Sequence, residues 1–241
     1  MTINGSDGDV PSQARFSASS RTKQQLPIPD PHFFKHRGFE RERELAKEGL
    51  EWSARQDRVV WRGALNGVGQ LGFDHEAVTD PSVKARIRMV MLLRDQPGCD
   101  VRLTGIRDFG TAWRRVAQSS GLIGAYVPAK TWLVQKYAID IDGWTNTWSN
   151  FLVRMLFGCC VFKVASDLGF RQWYYDRLKP FEHYVPVRAD MSDFVEKIEW
   201  VRSHDAEARA IAEAGQRFAT ALDFEAGRRD AVEIISAHWN D

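Results

Sequence analysis

Four stretches of the sequence carry residues whose types and spacing could do chemistry. The first is Arg62-Gly63-Ala64-Leu65-Asn66-Gly67-Val68-Gly69, directly after the apolar run RVVW. Glycines let a backbone approach a ligand closely, and a guanidinium can fork onto a diphosphate. The spacing fits neither a Walker loop nor a dinucleotide fingerprint, so a glycine-rich surface loop is the competing reading. The second is the pair Asp140 and Asp142. On a strand, carboxylates two residues apart share a face and could converge on one cation. The competing reading is an outward strand residue followed by a turn former. No third ligand is evident nearby, and no metal is expected. The third is the loop DGWTNTWSN, which offers Asp142, Gly143, Thr147, Ser149 and Asn150 where an anionic group would dock. The fourth is His183 in FEHYVPV, either a general base or a residue fixing a loop through its two ring nitrogens. Aromatic residues cluster around these stretches. Trp148 falls on an apolar helical stripe and reads as core, whereas Trp173 and Tyr174 fall in a loop suited to stacking on a ligand.

The elements that must position these groups follow from periodicity. Residues 137–141 form an apolar-rich strand, and Asp142-Gly143 is a turn dipeptide. Residues 147–157 carry Trp148, Phe151, Leu152, Met155 and Leu156 on one helical face, and Gly158 ends the helix. Residues 159–164 are a short apolar run of the kind buried in parallel sheets. Strand, polar turn, helix and strand make a βαβ unit, whose ligands sit at the carboxyl ends of the strands. Upstream, strands are expected at 58–61 and 101–104. A helix at 82–95 would be capped by Asp80 with Pro81 at its first position. One helix is expected over residues 40–54, burying Leu45, Leu50 and Trp52, and short helical pieces at 113–119 and 130–134. Helices over 192–202, 206–222 and 225–239 close the pattern. The proline-rich LPIPDP (26–31) excludes helix and central strand and reads as a crossing segment. Residues 1–4 and 14–18 are short strands. Alternating strands and helices argue an α/β fold.

The central stretch also carries a resemblance. DG before a polar helix start, then VFKV, then LKPFEHYVPV with acidic residues beyond, resembles glycosyltransferase family 90. That family includes protein O-glucosyltransferases, capsule-associated xylosyltransferases and bacterial lipopolysaccharide-modifying enzymes, the last being the type expected here. The likeness reaches back to Trp61-Arg62-Gly63 and covers most of the chain. It implies a GT-B-like architecture and an inverting, metal-independent transferase using a nucleotide sugar, a UDP-sugar, with no other cofactor. It implies that Arg62, Gly63 and Gly67 face the donor phosphates and that His183 supports the nucleotide cleft. INGSDGDVP matches the family's strand, aspartate and proline, which makes Asp7 the implied catalytic base. Where many members carry a phosphate-pairing arginine, this chain reads Trp148-Ser149-Asn150. Charge pairing then falls to Arg62 or Lys163.

Composition sets the outer bounds. The 241 residues carry a formal charge of +1 with both signs interspersed, which gives no nucleic-acid or membrane-surface signal. Three cysteines, two of them adjacent, argue against a disulfide framework. No signal-peptide pattern opens the sequence and no apolar run reaches membrane-spanning length, so a cytoplasmic protein is expected. Residues 1–31 read as a remnant of an acceptor lobe with its crossing segment, and 32–241 as a complete, Rossmann-like donor lobe. Roughly 30 residues before the crossing are far fewer than an α/β lobe requires. The expected function is transfer of a sugar to a hydroxyl on a glycan, lipopolysaccharide or protein. The alternative is a short remnant that binds nucleotide or a partner without turnover.

Overall fold

A computed structural model describes residues 2–5, 12–105 and 111–239. Two parallel sheets organise the chain. The small one has order β1-β2-β3, from Ile3–Asn4, Phe16–Ser17 and Leu26–Pro27. The large one comprises β4 (Gln56–Ala64), β5 (Cys99–Gly105), β6 (Gln135–Asp140), β7 (Cys160–Val164) and β8 (Val185–Val187), in the order β5-β4-β6-β7-β8. Helices α3 (Ala85–Leu93), α4 (Thr111–Ser119) and α5 (Asn150–Leu156) make the crossovers from β4 to β7. The architecture is α/β, with a Rossmann-like unit of parallel sheet and crossover helices as its larger part.

The strands are apolar on both faces because both faces are covered. Val59, Trp61, Tyr137, Ile139, Cys160 and Phe162 pack in one core with α3, while Val60, Ala138, Cys159 and Val161 pack in a second with α5. The alternation is that of a pleated strand, with successive side chains on opposite faces. Helices α6 (Phe194–Ser203), α7 (Asp205–Ala221) and α8 (Phe224–Ala237) complete the packing.

Helix α1 (Pro31–Lys35) and α2 (Glu40–Ala46) join the two sheets. Pro31 takes the first helical turn of α1 behind Asp30, whose carboxylate accepts from the Phe33 amide at 2.8 Å. The LPIPDP stretch thus holds an edge strand and a helix start, not only a crossing. Phe33 rests on Gly227 of α8, where an added Cβ would lie 2.3 Å from its ring. Arg43 of α2 donates to the carbonyls of Ala219, Thr220 and Leu222, closing the end of α7.

Three expected boundaries shift, each for a local reason. The helix expected over 40–54 ends at Ala46; a separate 3₁₀ turn, Trp52–Ala54, follows, and Leu50 is exposed. Gly49 lies at the break. The helix expected from 82 starts at Ala85, because residues 82–84 are held extended against the loop after β4. Gln70 donates to the Ser82 carbonyl and the Lys84 amide to Gln70. Asp80 caps only the Ser82 amide, at 2.8 Å. The helix expected from 147 starts at Asn150, because Thr147 and Asn150 both turn their side chains to Asp140.

Burial pushes the Asp30 carboxyl up to about 6, against the hydrogen bonds from Phe33 and its neighbours. An aspartate raised above its unfolded value stabilises the fold on protonation, so this contribution grows as pH falls from about 6 toward 4. Stability at pH 4.5 relative to pH 7 should drop by about 2 kcal/mol more in Asp30→Asn than in the parent. Denaturant titrations of both proteins at the two pH values check this.

Candidate functional site

The order β5-β4-β6-β7-β8 reverses direction between β4 and β6. Ligands of open parallel sheets bind outside the carboxyl ends of the strands at such a reversal. A crevice of about 820 Å³ lies there. Its walls are residues 66–69 after β4, Ile141–Trp144 after β6, Val164–Leu168 after β7 and Arg188–Asp190 after β8, with Arg86 and Arg88 of α3.

Glycine has a specific use in this crevice. Gly67 has φ of +98°, and a Cβ on it would lie 2.8 Å from the Gly143 carbonyl oxygen. A Cβ on Gly143 would in turn lie 2.7 Å from Asn66 Oδ1. The two loops therefore touch backbone to backbone, which only glycine permits. Lys84 Nζ donates to the Gly67 carbonyl and lies over the exposed Trp144 ring, 5.1 Å from its centroid.

Two arginines of α3 define the wall. Arg86 is buried and donates to the carbonyls of Ala64 (3.0 Å), Ile141 (3.1 Å) and Asp142 (2.9 Å). It ties the ends of β4 and β6 together. Arg88 is 3% exposed and has one ion pair, with Asp167 at 3.4 Å. Its Nε is buried without a partner among the described residues.

Beneath the crevice floor lies a buried charge cluster. Parallel register sets Asp140 beside Lys163, whose ammonium donates to Asp140 at 2.7 Å and Asp142 at 3.1 Å. Asp140 also accepts from Thr147 and from Asn150 (2.9 Å). Asn146 donates to the Asp142 carboxylate and to the Phe170 carbonyl, and accepts from Ser19 Oγ at 2.8 Å. Burial works against the Lys163 ammonium, but Asp140 and Asp142 outweigh it and hold its pKa above the ordinary lysine range. Burial likewise pushes Asp142 up; the Lys163 charge, Ser166, and hydrogen bonds from Lys163 and Asn146 overcome it and hold the carboxyl low.

The expected site residues divide accordingly. Gly67, Asp142 and Gly143 line the crevice, and Thr147 lines a small extension of it with Asn66 and Trp148. Ser149 and Asn150 line a separate cavity. Lys163 lies below the floor. Arg62 is turned away: it pairs with Asp100 at 2.7 Å and donates to the carbonyls of Asp100 and Ala125. Gly63 lies beside it under the Trp61 ring, where a Cβ would come within 2.4 Å. His183 is outside the crevice, accepting at Nδ1 from the Lys179 amide at 3.0 Å. Burial lowers its pKa, against the Glu182 carboxylate. Asp7 lies outside the described residues. Trp173 and Tyr174 are buried in the aromatic core with Phe33 rather than placed for stacking, whereas Trp148 is only half-buried. Arg86 and Arg88 were hidden in the sequence within ARIRMVMLL, where two arginines interrupt a run that is otherwise apolar from Ala85 to Leu93. Charged residues in a helix buried on nearly every side are the signal that could have found them.

The chain is 40% identical over 188 residues to uncharacterized protein 035R of Invertebrate iridescent virus 3, covering 72% of this chain and 16% of that protein. It is 31% identical over 173 residues to protein O-glucosyltransferase 2 of Danio rerio, covering 71% of this chain and 30% of that protein. Protein O-glucosyltransferase 3 of Homo sapiens is 29% identical over 175 residues, covering 72% and 30%. The chain thus spans under a third of the length of these relatives. Among solved structures, a sucrose-phosphate synthase from Thermosynechococcus elongatus aligns with a TM-score of 0.47 at 15% identity, over 82% of this chain and 48% of that one. The sequence pattern of Glycosyl transferase family 90 matches residues 40–226, which takes in the large sheet, the crevice loops, the Asp140–Lys163 cluster and α7. By that match the chain belongs to glycosyl transferase family 90.

Proposed function

We propose that the crevice binds the nucleotide of a UDP-sugar and that the protein transfers the sugar, with inversion and without a metal, to a hydroxyl of a glycan, lipopolysaccharide or protein. The observation that carries the reading is Arg88, a guanidinium 3% exposed with an unpartnered Nε in a crevice wall at the strand reversal. A diphosphate offers the oxygens that such a group lacks. The volume, about 820 Å³, falls within the range of small-molecule sites. Two relatives named protein O-glucosyltransferases support a hydroxyl acceptor. Metal independence is supported by the Lys163 ammonium, which fills the space between Asp140 and Asp142 where a cation would otherwise sit. The base is Asp7, by resemblance. It takes the acceptor proton as the anomeric carbon becomes oxocarbenium-like and the diphosphate departs.

Calorimetric titration with UDP tests this. Arg88→Ala should weaken UDP binding by about tenfold or more, the effect of losing a charge-assisted hydrogen bond. Arg62→Ala should leave affinity unchanged, and so should chelator or added Mn²⁺. Equal affinities for Arg88→Ala and the parent, or a large gain with Mn²⁺, would sink the reading.

A further inference from the structure

A second cavity, about 180 Å³, opens between α1, α2 and the start of α5. Its walls include His32, His36, Phe39, Glu42, Asn150 and Arg154. Two of these, Glu42 and Arg154, have no ion-pair partner among the described residues. The Arg154 guanidinium lies 3.5 Å from the Trp132 ring centroid and makes no ion pair. Burial pushes its pKa down to about 10, against Cys159 and Asp140, which leaves it a cation at neutral pH. Across the cavity, Glu42 Oε2 is buried without a hydrogen-bond partner. The two groups do not pair with each other.

A buried carboxylate oxygen left unpaired is costly, and the half-buried Arg154 guanidinium has no paired anion to offset the burial that lowers its pKa. The two are reconciled by a ligand that presents an oxyanion to one and a hydroxyl donor to the other. Size narrows the class. At about 30 Å³ per water, the cavity has room for about six waters, which matches one six-membered ring. Flat surfaces flank that space. The His32 ring lies 4.2 Å from His36 and 5.8 Å from Phe39, and burial holds His32 toward its neutral form.

We propose that this cavity binds one anionic sugar unit, with its carboxylate or phosphate on Arg154 and a neighbouring hydroxyl donated to Glu42. None of its lining residues lines the UDP crevice. As an acceptor subsite it would select acidic glycans. That consequence rests on the transferase reading; the binding itself does not.

The test is titration of the full chain, without UDP, with D-glucuronate, D-glucose 6-phosphate and D-glucose, by calorimetry and ligand-detected NMR. At least one acidic sugar should bind about tenfold or more tightly than glucose. Which one does so separates carboxylate from phosphate recognition. Arg154→Gln should bring the acidic sugar down to the glucose level, Arg154→Lys should keep part of the preference, and Glu42→Gln should weaken acidic and neutral sugars alike. Circular dichroism and UDP titration of the same variants report on folding and on the crevice separately. If Arg154→Gln fails to fold, the Arg154→Lys and Glu42→Gln arms carry the test. The proposal is overturned if neither acid outbinds glucose, or if the folded variants bind as the parent does.

Discussion

Lys163→Met should destabilise the fold by about 3–5 kcal/mol, the usual cost of removing one partner from a buried ion pair. Asp140 is fully buried, and the Lys163 ammonium is its one cationic partner among the described residues. Methionine itself would be tolerated sterically, since the Lys163 ammonium already lies between the rings of Phe151 and Tyr175, at 5.6 and 5.4 Å. The loss is therefore electrostatic, and Asp140→Asn added to Lys163→Met should recover much of it. Urea titrations of the parent, single and double variants measure this as a double-mutant cycle. The cluster also fixes a pH window. Asp142 is held low, so its contribution is present above the ordinary aspartate range and lost as pH falls through its folded pKa. Lys163 is held high, so its contribution is complete below the ordinary lysine range and lost as pH rises through its folded pKa. Between those limits the cluster's contribution should be flat, and in Lys163→Met the alkaline arm should vanish.

Arg86→Met should cost a comparable amount, about 3–5 kcal/mol, by a different route. It strips the donors from the carbonyls of Ile141 and Asp142, whereas the exposed Ala64 carbonyl keeps the Asn66 amide at 3.1 Å, and each buried acceptor left unsatisfied costs about 1–3 kcal/mol. Arg86→Lys should rescue little, because one ammonium on a flexible stem cannot fork onto three carbonyls. Thermal denaturation checks the ranking. UDP titration of whatever remains folded should show weakened binding, since both crevice loops hang from those three carbonyls.

The large sheet was legible because its strands obey one rule. Val59-Val60-Trp61 and Cys160-Val161-Phe162 are apolar at every position, which marks strands covered on both faces. The carboxyl-end loops followed from that, and with them Gly67, Asp142 and Gly143. The partners of charged residues were not legible, because partnership is set by register and crossover rather than by local pattern. Asp140 meets Lys163 through strand pairing across 23 positions. Arg62 meets Asp100 across 38, which removes it from the site that its neighbouring glycines suggested. Arg88 carries no signal of its own in the sequence, and its place in the crevice wall follows only from the burial of α3 on nearly all sides. Helices start later than periodicity predicts where a side chain has a better partner than the helix itself, as Thr147 does in Asp140.

The closure of α7 by Arg43 has a consequence for the order of folding. That arginine reaches Ala219 across 176 residues, and Phe33 rests on Gly227. During synthesis the β4–β8 sheet can assemble as its strands emerge, but the surface on which α1 and α2 dock, begun by α5 and Trp173, is incomplete until α7 and α8 have left the ribosome. The early helices, too short to persist alone, must wait for the last ones. Contacts of such long sequence separation slow the final step. The segment joining the two sheets is thus made before the large sheet and settles after it.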